Sequence, residues 1–65
     1  METADLIKWA RTTDFKSPQK LSCGVITDVD YFVSVQILRI EHGTHKEQLA
    51  SIDRLKELKK ATNGS

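Results

Sequence analysis

The apolar positions fall into four clusters with different periods. Leu6, Trp9, Ala10 and Thr13 recur at i, i+3, i+4 and i+7, with Ile7 beside them, which predicts a short helix over Ala4–Thr13. Thr3 is a suitable N-cap, and Asp5 falls in the first turn, where the helix dipole favours a negative charge. Pro18 disfavours helix at Ser17 and breaks the pattern. From Lys20 to Ile26, Leu21, Cys23 and Val25 alternate with Ser22 and Gly24, which predicts a strand.

The run from Thr27 to His42 is the contested one. As a strand, Tyr31, Val33, Val35 and Ile37 share one face, and Phe32, Ser34, Gln36, Leu38 and Ile40 the other. Its β-branched and aromatic content suits a pleated surface. As a helix, Val29, Phe32, Val33, Ile37 and Ile40 form one stripe, while Tyr31, Val35 and Leu38 form a second on nearly the opposite side. A helix apolar on two sides is hard to bury in a small protein. The strand is therefore the primary reading, with Thr27–Asp30 as a hairpin turn. An all-α small bundle is the alternative, with a helix-turn-helix from Pro18 to His42. Asp28 and Asp30 would then open its recognition helix and repel DNA.

After Gly43, Thr44-His45-Lys46-Glu47 reads as a capping box. Leu49, Ile52, Leu55 and Leu58 supply the apolar side of a helix from His45 to Ala61. The fold expected is α+β: helix, two-stranded antiparallel hairpin, helix, with both helices on one face of the sheet. Residues 1–61 form a single small domain and 62–65 a frayed C-terminal tail. The expected core is Leu6, Ile7, Trp9, Ala10, Leu21, Cys23, Val25, Tyr31, Val33, Val35, Ile37, Leu49, Ile52, Leu55 and Leu58.

Length sharpens the functional question. Sixty-five residues support only a modest core, which oligomerisation, metals or disulfides often reinforce. Cys23 is the only cysteine, so no intrachain disulfide forms. His42 and His45 flank a break rather than share a helix face, and no zinc-like spacing occurs, so no metal site is assigned. No catalytic constellation and no cofactor motif stands out, and a non-enzymatic role is expected. No apolar run is long enough to span a membrane, and the N-terminus lacks a basic signal region, so a cytoplasmic protein without membrane partners is expected.

A hairpin covered on one face leaves Ile26, Phe32, Leu38 and Ile40 uncovered on the other, and such patches mark interfaces. The expected function is a protein–protein interaction module, a small self-associating regulator or adaptor. Its partner is itself, as a homodimer, or another protein. The alternative is a small nucleic-acid-binding regulator using Lys46, Arg54, Lys56, Lys59 and Lys60. Net charge restrains that alternative. The chain carries only +1: five Lys/Arg against six Asp/Glu give −1 over residues 1–43, and five against three give +2 over 44–65.

Overall fold

The computed structural model describes residues 2–63. The order is α1 (Thr3–Thr12), β1 (Gln19–Leu21), β2 (Gly24–Ile26), α2 (Val29–His42) and α3 (His45–Asn63). β1 and β2 pair antiparallel, with Gln19 opposite Ile26, Lys20 opposite Val25 and Leu21 opposite Gly24. The protein is thus a small α+β fold with one two-stranded antiparallel sheet. The hairpin is not where the pattern placed it. Apart from Gln19, both strands fall within Lys20–Ile26, the segment expected to be the first strand alone, and Tyr31–Ile40 is helix.

Local chemistry explains the shift. Gly24 takes φ +125°, a conformation that L side chains rarely adopt, and this lets the chain turn back at Ser22–Cys23. Asp28, expected in a hairpin turn, is the N-cap of α2, and its Oδ1 accepts from the Tyr31 amide at 3.1 Å. The Val29 amide donates to Ser17 Oγ at 3.1 Å, so the segment around the cis Ser17–Pro18 bond holds the start of α2. At the other end the Gly43 amide donates to the Arg39 carbonyl at 2.8 Å. Thr44 and Glu47 form the expected capping box at the head of α3: the Thr44 amide donates to Glu47 Oε1 at 3.1 Å, and the Glu47 amide to Thr44 Oγ1 at 3.2 Å. In α1 the cap position is Glu2 rather than Thr3, with no side-chain cap. Thr62 and Asn63 are the last residues of α3, and Gly64 and Ser65 lie outside the described residues.

The core joins all parts of the chain. Leu6, Ala10, Phe15, Leu21, Val29, Val33, Ile37, Ile40, Leu55 and Leu58 are buried. Seven of these were expected inside; Phe15, Val29 and Ile40 were not. Cys23, Val25, Tyr31 and Leu49, assigned to the core, are exposed. Ile7, Trp9 and Ile52 are half-buried and packed against it, and Val35 is half-buried. Trp9 meets Phe15 edge-on, with centroids 5.4 Å apart, and Lys59 Nζ sits 5.5 Å from the indole centroid. A second tie fastens the hairpin to α3: Glu57 accepts from the Ser22 amide at 2.6 Å and from its hydroxyl at 2.8 Å. These two bonds, the backbone one first, hold the Glu57 carboxyl below its ordinary pKa of 4.5.

Candidate interaction surface

α2 is apolar on two sides, and only one of them is covered. At about 100° per residue, Val29, Val33, Ile37 and Ile40 fall together, and these residues are buried. Tyr31, Val35 and Leu38 fall on the far side. Tyr31 is 69% exposed and Leu38 59%, with Val35 half-buried between them. A helix apolar on two sides is hard to bury in so small a protein, and this chain leaves much of the second side in solvent.

A groove of about 440 Å³ runs along the flank of α2, between it, the hairpin and α3. Its apolar wall comes from Val25, Ile26, Tyr31, Phe32 and Val35. Asp28 stands near the start of α2, and Arg39 and Arg54 close the α3 side. Gln36 is buried, and its Oε1 accepts from Arg54 Nη1 at 3.4 Å. Arg39 and Arg54 also line a second hollow of about 290 Å³ with Lys46, Glu47 and Ala50. The Glu47 carboxyl there is held below 4.5, first by the Thr44 amide, then by the Thr44 hydroxyl, with Arg39 adding attraction.

The four residues expected at the interface separate. Ile26 and Phe32 are half-buried walls of the groove, and Leu38 stands exposed beyond Val35. Ile40 is a correction: it is only 8% exposed and belongs to the core, because a helix turns it toward Val33 and Ile37. Tyr31 and Val35, taken as inner residues of a strand, belong to the outer surface. Their i, i+4, i+7 spacing with Leu38 carried that information in the sequence.

The five basic residues of the nucleic-acid alternative also divide. Lys46 and Arg54 line the second hollow, and Lys59 lies over Trp9. Lys56 and Lys60 are exposed, with Asp53 beside them on α3. Among the described residues no three His, Cys, Asp or Glu side chains gather as metal ligands. No helix among them is long and apolar enough to cross a membrane.

Fold and surface together define a small α+β domain that carries an uncovered apolar helix face beside a groove with a basic end. Family comparison places it further: the chain belongs to the family described as a domain of unknown function (DUF6965), matched over residues 1–64. Comparison with curated proteins and with solved structures finds no match.

Proposed function

We propose that the protein is a non-enzymatic interaction module that associates with a second copy of itself through the outer face of α2. The uncovered stripe of Tyr31, Val35 and Leu38 carries the proposal. In so small a chain, that much apolar surface on one helix costs stability and solubility unless a partner covers it.

Charge along α2 selects a second copy as the occupant. Asp28 and Asp30 lie at its start, and Arg39 and His42 in its last turn. Two such helices laid antiparallel about a two-fold axis through Val35 bring complementary groups together. Asp28 then faces the partner's His42, Tyr31 faces the partner's Arg39, and Phe32 faces the partner's Leu38. An acid meets an imidazole, an aromatic ring meets a guanidinium, and two apolar groups meet each other. A two-fold interface requires this kind of self-complementarity, and opposed helix dipoles add to it.

Oxidative crosslinking tests the register. Val35→Cys in a Cys23→Ser background places thiols at the axis, within the Cα separation of roughly 4.4–6.8 Å that a disulfide spans. Mild oxidation should give a disulfide-linked dimer, whereas Ser34→Cys in the same background should not. A Val35→Cys chain that stays monomeric on a non-reducing gel would overturn the proposal.

A further inference from the structure

We infer that the groove and the adjoining hollow form a binding site for a small organic acid, an aromatic or aliphatic body carrying one anionic group. The body lies against Ile26, Phe32 and Val35, and the anion sits between Arg54, Arg39 and Lys46. The groove's volume of about 440 Å³ falls in the range of about 300–1,000 Å³ usual for small-molecule sites.

The arrangement of charge fixes which end takes the anion. Three cations from two helices converge on the hollow, with one carboxylate, Glu47, among them. That carboxylate, held in the capping box with Thr44 and attracted by Arg39, offsets one of the three and leaves the hollow with a positive excess. Among the described residues, neither Arg39 nor Lys46 forms a salt bridge. Arg54 is half-buried and steadied by the buried Gln36, so its guanidinium is directed before a ligand arrives. Asp28, on the groove's other rim, would repel an anion placed in reverse. An apolar wall that continues into a hollow of net positive charge matches an amphiphilic acid better than a neutral apolar ligand or a bare inorganic anion.

The site lies within one copy and shares Phe32, Val35 and Arg39 with the proposed dimer face, so the acid and a second copy compete for it. Its test uses protein dilute enough to be monomeric by native mass. The probe is 1-anilinonaphthalene-8-sulfonate, an aryl body with one sulfonate, and the comparison is the uncharged N-phenyl-1-naphthylamine. Saturable one-to-one binding of the sulfonate is expected. Arg54→Gln should weaken it by at least about tenfold, the scale of a charge-assisted contact. Lys46→Gln should weaken it severalfold, and Lys60→Gln, on the solvent side of α3, should leave it unchanged. Should Arg54→Gln shift the urea midpoint, Lys46→Gln decides, because Lys46 is exposed and makes no hydrogen bond that holds the fold. Equal affinity for the uncharged compound, or a Lys46→Gln affinity no different from that of Lys60→Gln, overturns the site. Arg39 is left unaltered because the proposed dimer uses it, so failure here and failure to dimerise are read separately.

Discussion

Replacing Ile40 and Leu38 by Ala, one at a time, separates the two sides of α2. The residues are two apart in sequence and similar in size, but Ile40 is 8% exposed and Leu38 59%. Ile40→Ala removes the methyl and ethyl groups beyond Cβ from the core. At about 0.8 kcal/mol per buried carbon this costs about 2.4 kcal/mol before any cavity is counted, and measured core truncations of this kind run from about 2 to 5. A chain of this length has a total stability of roughly 3–10 kcal/mol at the usual per-residue value. The substitution therefore removes roughly a quarter or more of it. With a urea slope of about 1 kcal/mol/M, the midpoint should fall by about 2 M, or the chain should be unfolded at the outset. Leu38→Ala should change stability by less than about 0.5 kcal/mol, a midpoint shift under about 0.5 M, in dilute solution, where no partner is present. Its effect should instead appear as weakened association in concentrated solution. Urea titrations followed by Trp9 fluorescence make the comparison directly. Equal losses for the two variants, or a larger loss for Leu38→Ala, would refute this placement of α2.

The Glu57 clamp predicts an acid response. Its folded pKa lies below 4.5, so its contribution to stability is present above that value and is lost as pH falls below it toward the folded pKa. Thermal melts from neutral pH into the acid range should show a shallower fall for Glu57→Gln than for the parent chain, though not a flat one, because Glu47 titrates in the same direction; identical slopes would remove the clamp. Gly43 packs its Cα against the Arg39 carbonyl oxygen, into which a Cβ would project. Gly43→Ala should cost roughly 1–3 kcal/mol, the usual cost of overpacking, in the same urea titration; an unchanged midpoint would show that the α2–α3 corner opens freely.

The ends of the chain were legible because local and long-range forces agree there. The stripe of Leu6 and Ala10 and the capping box of Thr44 and Glu47 are local patterns, and the core uses them as they stand. The middle was harder to read because the two kinds of force disagree. Val29–Ile40 is rich in β-branched and aromatic residues that favour strands. Asp28 as a cap, Asp30 in the first turn, and Arg39, His42 and Gly43 at the end favour a helix. Those end signals prevail, and the covered side of α2 packs chiefly on α3. The premise that misled was that every apolar stripe must be buried within the chain. Leu38 could be assigned to a surface on either reading, whereas Ile40 could be sent to the core, and Tyr31 and Val35 to the surface, only once the period was known. The grouping of Arg39 and Lys46 with Arg54 depends on the packing of α2 on α3, for which no local signal exists.

The most direct measurement of the central claim is sedimentation equilibrium over a wide concentration range on the parent chain and on Leu38→Glu. The account predicts a reversible monomer–dimer equilibrium for the parent. It predicts a monomer at all concentrations, with an unchanged urea midpoint in dilute solution, for Leu38→Glu. A parent chain that stays monomeric at the highest concentration, or a Leu38→Glu variant that dimerises as well as the parent, would contradict it.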